Sequence, residues 1–378
     1  MPPFVIDVRA ADDPRDIVHR AVQALAEGKL VGLPTESVYG LAARALDAEA
    51  VERLVAVKRR KAGHPISLAV RSLDEAIDYA PDMSPLARRL ARRCWPGPIT
   101  LVLDDSHPES LTNRLPPSVQ QVISPTKSVG LRVPGHAIVL DILRMTAGPL
   151  ALTSANRGGE NDARTAAEVV EALRDDVDLV VDDGPARYGQ PSSVVRVTGN
   201  QYTVLRAGVV PEKTIRRLSS LVILFVCTGN TCRSPMAESL CRKMLAERMC
   251  WPIHELEDRG VIVVSAGIAA LSGGRPAGEA VQAMAALGLD LSQHETQPLD
   301  DSLVRQADVI FAMTQSHCQG IVGQWPGAME RTRLLSASGA DIPDPIGGPA
   351  ERYEICAQQI REELEAQLPE LARLASSS

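Results

Sequence analysis

The chain has 378 residues, 40 Lys+Arg against 47 Asp+Glu, 45% hydrophobic residues and only 3% aromatic ones. That length favours two domains over one, the composition is that of a globular protein whose cores are built from Ala, Val, Leu and Ile, and no run approaches the roughly 18 apolar residues of a membrane span. Charge is uneven: residues 221–378 carry 12 Lys+Arg against 20 Asp+Glu, which argues against a nucleic-acid surface in that half.

In chain order, the opening MPPFVIDVRAADDP has acids and prolines where a signal peptide needs a basic start and an apolar run, so a cytoplasmic location is expected. IVHRAVQALAEGKL reads as an amphipathic helix, and LVGLPTESVYGLAA as a strand entering a Pro/Gly-rich loop. DAEAVERLVAVKRRK is a helix with an Asp N-cap and a basic end, the polarity a helix dipole favours. PISLAV, ITLVL, VGLRVP, LALTSAN, LVVDDG, SVVRV and YTVLRAG are short β-rich runs, with SPLARRLARRC and AAEVVEALRDD as helices between them. Strands outnumber helices, so a mixed, twisted sheet around a cavity is expected. Small polar and basic residues gather at loop positions: Thr35, Lys58, Arg60, Arg132, Ser154, Asn156 and Arg206. Three basic loci with hydroxyl and amide groups suit a polyanion such as a nucleoside triphosphate. Taken alone, KRRK is better read as a solvated helix end.

Together and in order, PTESVYGL, the Lys58–Arg60 pair, WPGPITLVL and SAN resemble the YrdC-type threonylcarbamoyl-AMP synthase family over about residues 10–210. The resemblance implies synthesis of L-threonylcarbamoyl-AMP from L-threonine, bicarbonate and ATP with Mg2+, releasing pyrophosphate. The product serves modification of adenosine-37 in tRNA, so tRNA is a partner only indirectly. By the same resemblance, Thr35 and Arg132 would meet threonine, and Lys58, Arg60, Ser154, Asn156 and Arg206 would hold ATP. Three positions depart from the family pattern: Lys61 follows where Pro is usual, Arg196 replaces an acid in SSVVRV, and Ala69 stands where some members carry His.

VVPEKTIRRLSS reads as a polar connector, which sets expected domains at 1–214 and 215–378. The pattern then resets: the apolar strand LVILFVCTGN, the helix ESLCRKMLAERM, the strand VIVVSAG, the helix GEAVQAMAALG, the strand ADVIFAMT and the helix AERYEICAQQIREELEAQL. Alternation of this kind implies a doubly wound α/β domain with a parallel sheet covered on both faces. Six of the seven cysteines lie here, without a CxxC pair, so neither a zinc site nor a disulfide framework is indicated.

At the end of the first of these strands stand Cys227, then five residues, then Arg233 and Ser234 at a helix start. A strand-to-helix turn aims backbone N–H groups at one point, making an anion nest. The field that binds a phosphate also stabilises a thiolate, so Cys227 is expected to be nucleophilic with a lowered pKa. Arg233 can hold two phosphoryl oxygens, Ser234 can donate to the thiolate, and Asn230 can brace the loop. With VVSAG, ADVIFAMT and IPDPIGG, this loop resembles the low-molecular-weight protein phosphatases over about 155 residues. The resemblance implies Asp344 as general acid, no metal, and no cofactor. The loop residues Thr228, Gly229, Asn230, Thr231 and Cys232 look like the bacterial protein-arginine-phosphatase branch, in which the Thr matching Thr231 contacts the phosphoguanidinium. Phosphoarginine protein is therefore favoured over phosphotyrosine, although Ile346 stands where that branch often has an aromatic. Cys232 can form a reversible disulfide with Cys227 or serve as a structural thiol. A bifunctional enzyme is the reading adopted; the alternative is a phosphatase whose first domain binds nucleotide or RNA without synthase activity.

Overall fold

The computed structural model describes residues 2–10, 13–59 and 65–376 and divides between Ile215 and Arg216 into two compact units. In the first, the elements run β1 (Phe4–Asp7), α1 (Pro14–Ala26), β2 (Val31–Leu33), β3 (Gly40–Arg44), α2 (Ala48–Lys58), β4 (Ser67–Ala69), α3 (Leu73–Tyr79), α4 (Pro85–Cys94), β5 (Ile99–Asp104), α5 (Pro117–Ile123), β6 (Ser128–Arg132), α6 (Ala137–Met145), β7 (Leu150–Ser154), α7 (Ala166–Leu173), β8 (Leu179–Asp182), β9 (Ser193–Thr198) and β10 (Gln201–Arg206). Helix α8 (Glu212–Ser219) crosses the division. The segment expected as a polar connector is thus largely helical. Pro211 pre-sets its start, and Ile215 is fully buried while Lys213, Arg216 and Arg217 face solvent.

The described strands of this unit form one mixed sheet in the order β1-β8-β2-β3-β7-β4-β6-β5-β9-β10. Register explains how it makes both a core and a cavity. Leu101 pairs with Leu131 and with Val195, while Thr100 pairs with Val194 and Val102 with Gly130. Side chains alternate across a sheet, so Leu101, Leu131 and Val195 are buried on one face. Thr100, Val102, Gly130, Arg132 and Val194 turn to the other, where they line a cavity of about 310 Å³. Helices α1 and α6 bury Ile17, Leu25, Val139 and Ile142 in one core with Val31, Leu33 and Val181.

The second unit runs β11 (Leu221–Cys227), α9 (Arg233–Met249), β12 (Val261–Gly267), α10 (Gly278–Ala286), α11 (Asp301–Gln306), β13 (Val309–Ala312), α12 (Gln315–Gln324), β14 (Thr332–Leu334) and α13 (Ala350–Ser376). Its sheet is parallel, in the order β12-β11-β13-β14. All seven residues of β11 are buried. Leu221, Ile223, Phe225 and Cys227 pack on one face with α9 and α13. Val222, Leu224 and Val226 pack on the other with Ile310 and Ile321. The last helix continues through Pro369 to Ser376, beyond the expected end near Leu368, because Leu371 and Ala375 are still buried in the core. With β12 and β13 on opposite sides of β11, the chain reverses its winding at the carboxyl end of β11, where crevices of open α/β sheets form.

Candidate functional sites

Cys227 ends β11 at that crevice, and α9 begins at Arg233. Between them the loop turns back on itself because Asn230 adopts φ +56°, a left-handed conformation that Asn tolerates better than most residues. The backbone N–H of Asn230 points at Cys227 Sγ (3.3 Å), and Ser234 Oγ lies 2.9 Å from the same sulfur. The Asn230 amide donates to Ser234 Oγ (3.0 Å) and Ser265 Oγ (2.9 Å), and its Oδ1 accepts from the Gln297 N–H (2.9 Å). Ser265 in turn donates to Glu238 (2.7 Å). Gly267 at the end of β12 lets this loop approach: a Cβ there would fall 2.6 Å from Thr228 O and 2.9 Å from Asn230 N.

Arg233, almost fully buried, donates to the Ile342 carbonyl (3.2 Å) and forms an ion pair with Asp344. Its Nε is buried without a protein partner. An orphaned charged donor over the first N–H groups of a helix is a ready receptor for an oxyanion. The structure thus brings Cys227, Asn230, Arg233, Ser234 and Asp344 to one crevice, together with Thr228, Gly229, Thr231 and Cys232 of the loop.

Two histidines complete the setting and were not singled out from sequence. His317, in the first turn of α12, bonds Thr228 Oγ1 through Nε2 (2.9 Å) and Thr314 Oγ1 through Nδ1 (2.8 Å). Burial, then the neighbouring Arg233 charge, push its pKa below the ordinary histidine value, so it is neutral near pH 7. His294 Nε2 lies 3.0 Å from Asn230 O. Both contacts join residues over 60 positions apart, for which the local pattern carries no signal. Burial raises the Cys232 thiol and pushes Cys356 up to about 12, so neither is a competing thiolate near neutrality. All seven cysteines are unpaired.

In the first unit, Thr35, Arg132, Ser154 and Arg206 line the 310 Å³ cavity, joined by Thr100, Ser192 and Arg196. Arg206 donates to the Ser192 carbonyl (2.8 Å) and hydroxyl (3.1 Å). The approach depends on Gly208, where a Cβ would fall 2.3 Å from Pro191 O. Burial lowers the Arg206 pKa, and the charge of Arg132 adds to this. Arg132 forms a buried pair with Glu36 (2.9 Å) and also donates to Ser37 Oγ (2.8 Å), and its Nε lacks a protein partner. Thr35 Oγ1 donates to Val38 O (2.6 Å) and meets Ser37 Oγ (2.9 Å). Lys58 is buried, with its ammonium against Ser154 O (2.7 Å), Asn156 O (2.5 Å) and Asn156 Oδ1 (2.6 Å). It clasps the SAN loop. Arg60 lies outside the described residues. Glu36, Ser37 and Ser192 sit in segments the sequence reading marked, but their pairing needs the fold.

A thiol and an arginine–aspartate pair over a helix N-terminus in one unit, and an arginine-lined cavity on a mixed sheet in the other, define a two-domain chain of enzyme type. Comparison with known proteins agrees. Residues 222–377 match the low molecular weight phosphotyrosine protein phosphatases, and residues 23–208 match the Sua5/yciO/yrdC family, described as telomere recombination. The chain belongs to both families, one in each half. It is 39% identical over 155 residues to the protein-arginine-phosphatase of Bacillus subtilis, covering 40% of this chain and 94% of that protein. It is 35% identical over 194 residues to the threonylcarbamoyl-AMP synthase of Pyrococcus abyssi, covering 51% of this chain and 54% of that protein. The chain therefore spans about half the length of that synthase. The crystal structure of P. abyssi Sua5 complexed with L-threonine matches the fold with a TM-score of 0.51 at 23% identity, covering 70% of this chain and 92% of that one. No described helix is long and apolar enough to cross a membrane.

Proposed function

We propose that the chain is a bifunctional enzyme, with domains near 1–214 and 215–378: a cysteine-dependent phosphatase acting on phosphoarginine protein, and a synthase of L-threonylcarbamoyl-AMP. The phosphatase reading is carried by Cys227 Sγ held between Ser234 and the Asn230 N–H, with Arg233 and its unpartnered Nε alongside. The Cys227 thiolate attacks phosphorus, and Arg233 with the loop N–H groups holds the equatorial oxygens. Asp344 gives a proton to the departing guanidine nitrogen as the P–N bond breaks. Water, its proton accepted by Asp344, then cleaves the phosphocysteine and returns the thiolate to the Ser234 hydroxyl. Substrate entry exchanges the Arg233–Asp344 pair for an Arg233–phosphoryl pair, which frees the carboxyl for proton transfer. Phosphoarginine over phosphotyrosine is supported by Thr231 and by the likeness to the B. subtilis protein-arginine-phosphatase.

In the first domain, threonine meets Thr35 and Arg132, and ATP meets Ser154, Asn156 and Arg206. Arg60 joins the nucleotide set, and Lys58 acts on it through the loop it clasps. The carbamate formed from threonine and bicarbonate attacks the α-phosphate and pyrophosphate leaves, a reaction that positioning and charge neutralisation suffice to drive. Mg2+ enters with the triphosphate of the ATP substrate. The product would serve tRNA modification, with tRNA itself an indirect partner, and the setting is expected to be cytoplasmic. The test is phosphate release from phosphoarginine protein and phosphotyrosine peptide beside threonine-dependent pyrophosphate release. Absence of one activity removes that half of the proposal.

A further inference from the structure

A second, smaller cavity of about 170 Å³ lies beside the arginine-lined one and shares Thr35 with it. It is walled by Glu36, Gly135, His136, Asp183 and Arg187. His136 stands at the N-cap of α6 without a side-chain capping bond. Its Nε2 lies 3.3 Å from Asp183 Oδ2, while its Nδ1 is buried with no protein partner. A ring proton on Nε2, donated to Asp183, leaves the Nδ1 lone pair unmet, an unfavourable state that is relieved when a donor arrives. The charged groups that wall the cavity with the ring are Asp183, Glu36 and Arg187, and Glu36 is paired with Arg132 (2.9 Å) and accepts from the Gly135 N–H (2.9 Å). Burial outweighs the two carboxylates and lowers the imidazole pKa, and the positive end of α6 acts in the same direction.

We propose that His136, oriented by Asp183, is the base that removes a proton from the substrate's α-ammonium before it is carboxylated. The inference rests on the synthase reading and supplies a step that the binding residues alone leave undone. Near neutral pH an amino acid carries its amine as an ammonium, which has no lone pair for bicarbonate. The ammonium, placed between Thr35 and His136, gives its proton to Nδ1, forming an amine and an imidazolium. The amine's lone pair makes the C–N bond to bicarbonate, water leaves, and the imidazolium returns its proton to solvent. A buried, unpartnered acceptor on a ring that walls the cavity and is held by a carboxylate has the base-and-orienter pairing that general-base catalysis uses.

The experiment takes the full chain and its His136→Asn and Asp183→Asn variants. It measures pyrophosphate release with threonine, bicarbonate and ATP between pH 6 and 9.5. In parallel it measures ATP formation from supplied threonylcarbamoyl-AMP and pyrophosphate, a reverse half-reaction in which no amine proton moves. His136→Asn is expected to lower the forward rate by about 10²–10⁴-fold and to keep the reverse rate. Its forward rate should then climb about tenfold per pH unit toward the amine's own pKa. Asp183→Asn should show the same split with a smaller loss. Equal loss in both directions in both variants would mark the pair as structural and overturn the inference, as would an unchanged forward rate. A wild-type chain inert in both directions would overturn the synthase reading itself, and the inference with it.

Discussion

Asn230 combines a φ of +56° with three hydrogen bonds to other elements, two from its amide nitrogen and one to its Oδ1. Asn230→Ala and Asn230→Gly remove the same bonds and differ in backbone freedom. Each bond is worth about 0.5–1.5 kcal/mol, so both variants should lose roughly 1.5–4.5 kcal/mol. Alanine at a left-handed position costs a further 1–2 kcal/mol or so, while glycine carries about 0.4–1 kcal/mol of extra unfolded-state entropy. Glycine should therefore be the more stable replacement by roughly 1 kcal/mol. The assay is urea unfolding of the full chain in a Trp95→Phe background, where fluorescence reports Trp251 and Trp325 of the second unit. Phosphatase activity should fall in both variants, because the lost side-chain bonds hold in place the loop whose residue-230 N–H points at Cys227. Alanine equal to or more stable than glycine would refute the claim that loop strain at Asn230 shapes the site.

Ser234→Ala removes the hydroxyl beside Cys227 Sγ. A hydrogen bond to a charged group is worth about 1.5–3 kcal/mol, so the rate of phosphocysteine formation or breakdown should fall about 10- to 150-fold in stopped-flow assays. Arg132→Ala leaves Glu36 buried and unpaired and should destabilise the first unit by about 3–5 kcal/mol; Glu36→Gln added to it should recover part of that in thermal unfolding. Burial holds the Glu238 carboxyl above the ordinary glutamate value of 4.5, with Ser265, His294 and Arg242 pulling it down. Stability from that group is therefore full below about 4.5 and lost as pH rises through the folded value. Glu238→Gln removes this slope, so its stability relative to wild type should rise with pH from 4.5 upward in denaturant titrations.

The core of the second unit is legible in sequence because LVILFVC is apolar throughout, as a strand buried on both faces must be. The Cys227–Arg233–Ser234 spacing is legible because one turn and one helix start hold all three. Asp47 likewise reads as an N-cap, and its carboxylate accepts from Ala50 N (3.1 Å). What stays hidden is tertiary. The edge strands β1 and β14 are short and take their conformation from their neighbours. Ile215 gives the 209–220 segment the buried apolar anchor that makes it helical rather than a connector. The Lys58 ammonium turns to Ser154 and Asn156, nearly a hundred residues away. The pairs Arg132–Glu36, His317–Thr228 and His136–Asp183 exist only once the sheets are assembled.

The most direct test of two activities carried by separate sites is a paired assay of one preparation. Wild type, Cys227→Ser and Arg206→Met chains are compared for phosphate release from phosphoarginine protein and for threonine-dependent pyrophosphate release. The account predicts that Cys227→Ser abolishes only the first and Arg206→Met strongly reduces only the second. Phosphate release that survives in Cys227→Ser, or a wild-type chain that performs neither reaction, would contradict it.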